Sequence, residues 1–374
     1  MQYSYFTNDR LKVSQLGFGC MRFPILNGDQ KAIDEEKARE MLIYAIENGV
    51  NYIDTAYPYH GGMSEKFVGK VLSEGYRDKV YLATKNPVWL AKTKEDFMKY
   101  LDEQLDNLKT DHIDFYLLHS LDAERFDKIV DLEVFNFVKK AKEEGKIRYI
   151  GFSFHDEYEA FEKIVDSYDW DFCQIQLNYL DRNYQAGLKG LKYAKDKGLD
   201  VVVMEPVKGG KLAKAPDKIK NVFSRANVDR SPAQWALKWV FDKEEVSVVL
   251  SGMSTLEQVK ENIAVASENT KLTPDEIRLI DEATQIYMEG FKVGCTACEY
   301  CMPCPSGVNI PRVFELYNNV YVFDELEESK KMYQRLIENN MDASNCIECG
   351  NCEAVCPQHL SIIESLKEAD KVLR

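Results

Sequence analysis

Eight of the chain's ten cysteines fall in two tight runs near the C-terminal end. The second run reads Cys346-x2-Cys349-x2-Cys352-x3-Cys356-Pro. That spacing lets thiolates hold a [4Fe–4S] cubane. The first run, Cys295-x2-Cys298-x2-Cys301-x2-Cys304-Pro, is one residue shorter before its last cysteine. Where two such runs share a domain, the fourth cysteine of each serves the other run's cluster. The pattern therefore assigns Cys295, Cys298, Cys301 and Cys356 to one cluster, and Cys346, Cys349, Cys352 and Cys304 to a second. Pro305 and Pro357 turn the chain away after the last ligand and bring no amide N–H of their own. Four thiolates also hold structural zinc. Zinc sites, however, space their ligands as separated pairs, whereas a cubane takes three close cysteines and a distant fourth. Two [4Fe–4S] clusters are the expectation, and exposed clusters of that kind suit an anaerobic or micro-aerobic host. Disulfides are disfavoured in a chain this long with its cysteines so clustered. The remaining pair, Cys20 and Cys173, lie in strand-like segments and read as plain buried residues.

A second set of reactive side chains stands at the ends of short apolar runs. "NYID" ends in Asp54, "VYLAT" runs into Lys85 and "IDFYLLH" ends in His119. Further on come Ser153, Gln176, Asn178, Glu205 and Ser251-Gly252, and the segment after Asp54 carries Tyr57 and Tyr59. Singly, each of these is more often a satisfied structural residue. Together they suggest acid–base work. A phenol with a pKa near 10 is a poor proton donor at neutral pH. A neighbouring ammonium stabilises its anion and lowers that pKa. A carboxylate keeps a buried lysine charged and aimed, and an imidazole can hydrogen-bond a substrate oxygen. Such a set could protonate the alkoxide formed when hydride attacks a carbonyl.

What must position these groups is a regular alternation. Eight β-rich runs begin at "QLGFG" (15–19) and end at "VSVVLSG" (246–252), and each is followed by a segment of helical apolar spacing. Gly49, Gly145 and Gly198 mark helix ends, and Ser231-Pro232 marks a helix start. Alternating strands and helices imply a parallel sheet. Eight units in about 270 residues fit an α/β fold of the (β/α)8 TIM-barrel type, whose chemistry lies at the C-terminal ends of the strands. An open doubly wound sheet is disfavoured, because no G-x-G-x-x-G follows the first strand. A helix at 273–288 closes this region. The expected division is a barrel over 1–290 and a small helical iron–sulfur domain over 291–374, held together by its metal because few apolar residues remain for a core.

The bulk composition narrows the partners. The chain has 374 residues and a net charge of −14. Nucleic acid and anionic membrane surfaces are disfavoured, because binding them needs clustered Lys and Arg. No signal-like or membrane-spanning apolar stretch is present, so a cytoplasmic location is expected.

At its strand-end residues the sequence resembles the aldo-keto reductases, through "LGFGCMR" (16–22), "DTAYPYHGGMSE" (54–65), "ATK" (83–85), "LLHS" (117–120), "GFS" (151–153), "QIQLNY" (174–179) and "GMSTLEQVKENI" (252–263). The resemblance covers residues 1 to about 290 and implies a barrel that uses NADP or NAD to reduce a small carbonyl or oxidise an alcohol. It implies a catalytic tetrad of Asp54, Tyr59, Lys85 and His119. Tyr59 rather than Tyr57 has the family's offset from the aspartate. It further implies that Cys20, Met21, Asp54 and Met204 lie by the nicotinamide and that Ser153 and Gln176 hold its carboxamide. Pro206, Val207, Gly209 and Lys211 would cross the pyrophosphate. Gly252, Ser254, Gln258, Glu261 and Asn262 would take the adenosine end. Phe154, Met204 and Gln258 replace the asparagine, aromatic and arginine common in the family, which leaves the choice of NADPH or NADH open. Trp89, Leu90 and Tyr179 are candidates for substrate contacts. The C-terminal part resembles the helical ferredoxin type appended to some aldo-keto reductases. That raises a second reading, in which the clusters exchange electrons with a ferredoxin-like partner. In a third, they are structural or redox-sensing.

Overall fold

The computed structural model describes residues 1–6 and 11–374. The described residues form ten strands: β1 Tyr3–Phe6, β2 Leu11–Ser14, β3 Leu16–Gly19, β4 Tyr52–Asp54, β5 Tyr81–Asn86, β6 Ile113–Leu121, β7 Ile147–Phe154, β8 Phe172–Gln176, β9 Asp200–Met204 and β10 Val246–Gly252. Strands β3 to β10 close into a barrel, ordered β10-β3-β4-β5-β6-β7-β8-β9, with every pairing parallel. These are the eight strands expected from the sequence.

Strand alternation explains how the barrel separates packing from chemistry. Side chains two apart share a face. Tyr52, Ala83, Phe115, Leu117, Tyr149, Phe172, Val202 and Val248 form the inner core. Two residues further along the same strand face come Asp54 after Tyr52, Lys85 after Ala83, His119 after Leu117, Gln174 after Phe172 and Met204 after Val202. An apolar plug therefore lies beneath a polar upper layer. Gly151 is needed within the plug, because a Cβ there would stand 2.5 Å from the Phe172 carbonyl oxygen.

The antiparallel hairpin of β1 and β2 is additional to the expected strands. Its Phe6 packs on Phe115 with ring centroids 4.7 Å apart, and also on Tyr149 and Phe172, adding to the apolar plug.

Local signals set the helix ends. Ser231 and Gln234 form a reciprocal capping box on Pro232–Phe241, with proline in its first turn, and Thr93 and Asp96 do the same for Lys94–Leu108. Gly49, Gly145 and Gly198 take φ of +94°, +71° and +87° directly after helices, where a side chain would be strained.

The chain forms two compact units: residues 1–213 with 230–273, and residues 214–229 with 274–374. In the second unit, helices Ile310–Val322, Leu326–Glu338 and Ile362–Leu373 bury Val313, Phe314, Leu336 and Leu366 together. The Tyr333 hydroxyl donates to Asp370 (2.6 Å) and accepts from the Ala343 amide (3.0 Å). This unit thus has an apolar core of its own, contrary to the expectation that too few apolar residues remained for one. The helical stripes supply it. Among the described residues no helix is long and apolar enough to cross a membrane.

Candidate active site and cysteine cavity

Asp54 ends β4 and Lys85 lies on the neighbouring β5, where Asp54 is in register with Ala83. The two side chains therefore meet above the plug. Lys85 Nζ donates to Asp54 Oδ1 at 2.6 Å and to the Thr55 carbonyl at 2.8 Å, and stands 3.4 Å from the Tyr59 hydroxyl. Tyr59 begins a short 3-10 turn in which His60, Gly61 and Gly62 all have positive φ. His119, near the end of β6, packs edge-on to Tyr59 at 6.1 Å between ring centroids, and Trp89 covers it at 5.1 Å. The backbone beside it is pinned, because the Ser120 amide donates to Ser153 Oγ at 2.6 Å. A buried network supports β5 from behind. Glu65 accepts from Thr84 and Gln104 at 2.6 Å each, and Gln104 also donates to the Lys85 carbonyl at 3.0 Å.

Asp54 and Lys85 are 2% and 1% exposed, so each charge depends on the other. Burial opposes the Lys85 ammonium, yet Asp54 and Tyr59 outweigh it and hold its pKa above the ordinary value. Burial pushes the Tyr59 phenol upward, and Lys85 opposes without reversing this. The sequence suggested a lowered phenol pKa, but desolvation wins and Tyr59 stays protonated at neutral pH. Burial, reinforced by Lys85, holds His119 well below its ordinary range, so it is a neutral imidazole. Its buried Nδ1 has no hydrogen-bond partner among the described residues.

These four side chains line one wall of a cleft of about 430 Å³. Met21, Ser153, Met204, Pro206, Val207 and Gly209 also line it, as do Gly252, Ser254 and Gln258. Five other expected cofactor contacts are not on that wall. Cys20 is fully buried, with its sulfur 3.8 Å from the Phe18 carbonyl. Gln176 donates its amide to Asp181 at 3.1 Å, and Asn262 donates to Ser251 Oγ at 2.9 Å. Glu261 accepts from the Ser231 hydroxyl. Lys211 follows the Lys208–Gly210 turn, beyond the residues that line the cleft. Gln174, which pairs in register with Ser153, lines the cleft where Gln176 does not. Gln174 Oε1 is buried without a partner among the described residues. Arg22, Glu205 and His155 line the cleft as well. Arg22 lies in the quoted "LGFGCMR" motif, and Gln174 opens "QIQLNY". Arg22 makes no ion pair among the described residues, and its guanidinium stands 3.8 Å from where a Gly209 Cβ would be. A Cβ on Gly252 would collide with the Arg22 side chain at 2.6 Å. An unpaired cation, an orphaned amide oxygen and a close glycine approach fit an elongated phosphate-bearing nucleotide.

In the second unit, Cys295, Cys298, Cys301 and Cys356 line a single cavity with Ile310, Phe314 and Ile362. Cys304, Cys346 and Cys352 pack on the same small core, and Cys349 is exposed. Among the described residues no three His, Cys, Asp or Glu side chains are grouped to hold a single metal ion. The two runs repeat one backbone design. Ala297 and Glu348 have φ of +56° and +55°, and two residues later Glu299 and Gly350 have +61° and +78°. Met302 N bonds the Glu299 carbonyl as Glu353 N bonds that of Gly350. Burial pushes the Cys301 thiol up to about 11, so ligation there must displace a proton. Four thiols around one apolar-backed cavity suit a cluster held by three near cysteines and one distant.

Residues 15–285 match the profile of the aldo/keto reductase family. The chain belongs to that family. Residues 294–361 of the reductase match a 4Fe-4S dicluster domain. Among curated proteins it is similar to L-galactose dehydrogenase of Arabidopsis thaliana, 30% identical over 72% of this chain and 89% of the relative. It is also similar to the uncharacterized oxidoreductase YqkF of Bacillus subtilis, 28% identical over 74% of this chain and 94% of the relative. Among solved structures it resembles the holo form of aldo-keto reductase AKR11C1 from Bacillus halodurans. That match has a TM-score of 0.63 and 30% identity, covering 76% of this chain and 96% of the other.

Proposed function

We propose that the reductase transfers hydride between a nicotinamide cofactor, NADP or NAD, and a small carbonyl or alcohol substrate. The observation that carries this reading is Lys85 Nζ, held between Asp54 at 2.6 Å and Tyr59 at 3.4 Å inside the cleft. The nicotinamide, when bound, supplies or accepts the hydride. Tyr59 holds the proton that the substrate oxygen receives. Lys85 stabilises the phenolate left behind, and Asp54 keeps Lys85 charged and aimed. Neutral His119 positions the same oxygen by a hydrogen bond. Met204 and Met21 offer polarizable apolar surface, with Ser153 and Gln174 as candidates for the carboxamide and Arg22 for a cofactor phosphate. The segment Pro206–Gly210, with Gly252, Ser254 and Gln258, takes the rest of the nucleotide. Trp89 closes the substrate side over His119.

Functionally the chain divides into a reductase barrel over 1–290 and an iron–sulfur domain over 291–374, working in the cytoplasm. Cys295, Cys298, Cys301 and Cys356 hold one [4Fe–4S] cluster, and Cys346, Cys349, Cys352 and Cys304 hold a second. Bound clusters supply one-electron chemistry, and a ferredoxin-like carrier is the partner this would serve. A direct test is anaerobic incubation with aldehydes, ketones and aldose sugars, using NADH or NADPH deuterated at C4 of the nicotinamide. Deuterium on the carbinol carbon of a product supports the reading. Cofactor oxidation with no deuterium transferred to carbon would overturn it.

A further inference from the structure

The duplicated cysteine loops allow a comparison between equivalent atoms. After each run's last cysteine the chain makes the same turn. Gly307 N bonds the Cys304 carbonyl at 2.9 Å, and His359 N bonds the Cys356 carbonyl at 3.1 Å. Gly307 and His359 share positive φ, +81° and +51°. Within this shared frame Ser306 corresponds to Gln358. The two positions differ in one respect that matters for a bound cluster. The Ser306 hydroxyl stands 3.3 Å from the Cys304 sulfur. Gln358 lines the cavity of the other cysteine set, and no side-chain hydrogen bond to Cys356 is present among the described residues. No other cysteine of the two runs has a hydroxyl partner among them; Cys295 instead accepts from the Ala297 backbone amide at 3.4 Å.

A ligating cysteine is a thiolate and has no proton to give. In the loaded protein, the hydroxyl is therefore the donor and the sulfur the acceptor. Hydrogen bonds to an anionic acceptor are charge-assisted and strengthen as its negative charge grows. A reduced cluster carries one more negative charge than the oxidised one, so such a donor favours reduction. Hydrogen bonds to ligand sulfurs are among the determinants of cluster potential.

We infer that Ser306 is a tuning residue that raises the reduction potential of the cluster ligated through Cys304. This rests on the proposed ligand sets, but not on any substrate.

The test is an anaerobic, dye-mediated dithionite titration of the full chain, followed by EPR, with iron content measured on each sample. The intact protein should show two reduction waves. Ser306→Ala should move one of them to lower potential, leave the other in place and keep the full iron content. Ser306→Thr, which retains a hydroxyl, should restore the original wave. Gln358→Ala should move neither. Two waves that stay unmoved in Ser306→Ala, or that shift together, would overturn the inference while leaving the ligand sets intact. Absence of clusters from the intact protein would instead remove the ligand assignment itself.

Discussion

Replacing Lys85 with methionine separates what the Asp54–Lys85 pair does for folding from what it does for chemistry. The pair is closed at 2.6 Å and both partners are almost fully buried. Asp54 Oδ2 is buried with no hydrogen-bond partner among the described residues. Lys85→Met fills similar volume but leaves the carboxylate uncompensated. Breaking a buried pair in this way costs about 3–5 kcal/mol. With a urea slope of about 3 kcal/mol per M, that lowers the midpoint by about 1–1.7 M. The deficit should depend on pH. Burial already raises the Asp54 carboxyl, and Lys85 is what opposes it. Without Lys85, the folded pKa lies far above the unfolded one near 3.9. The folded state then binds the extra proton. Stability is kept below the unfolded pKa and lost as pH rises through the folded one. Asp54→Asn in the same chain removes the charge and should recover most of the midpoint, yet turnover should stay absent. The assay is convenient, because all four tryptophans, Trp89, Trp170, Trp235 and Trp239, belong to the barrel unit and report its unfolding alone. A double variant no more stable than Lys85→Met, or a deficit independent of pH, would refute the reasoning.

Three further outcomes follow from the same geometry. Carbonyl reduction at saturating cofactor should be flat from about pH 6.5 to about 10. Tyr59 stays protonated past the ordinary tyrosine value and His119 stays neutral below the ordinary histidine value; an alkaline limb near pH 8 in a steady-state profile would contradict this. Gln174→Ala should weaken nucleotide binding about tenfold, as losing a hydrogen bond of about 1–1.5 kcal/mol would. Gln176→Ala should change it little, measured by fluorescence titration; the reverse order would return the carboxamide role to Gln176. Cys356→Ala should lose roughly half the bound iron, because it removes one ligand from one of two clusters, and full retention of iron would break the proposed ligand set.

The barrel was legible because strand alternation and β-branched runs are local properties. So was the polar layer, since Asp54, Lys85 and His119 each end such a run. Depth within the barrel was not legible. Gln174 and Gln176 share a strand face, and only the folded cleft shows that Gln174 lines it beside Ser153. Arg22 and His155 lie beyond strand ends, where side-chain direction follows from tertiary packing. The direction of the Tyr59 shift depends on desolvation, which a sequence does not display. Nor could spacing show that residues 214–229 fold with the C-terminal unit, or that the hairpin's Phe6 packs into the apolar plug. The cysteine runs were legible from spacing, and the structure places Cys295, Cys298, Cys301 and Cys356 around one cavity.

The central claim is that Tyr59 gives the substrate oxygen its proton, and anaerobic turnover of Tyr59→Phe beside its nucleotide affinity tests it most directly. Removing a general acid costs about 10²- to 10⁴-fold, so kcat should fall by that much while the nucleotide dissociation constant stays within about threefold. Turnover equal to that of the unaltered chain would contradict the account.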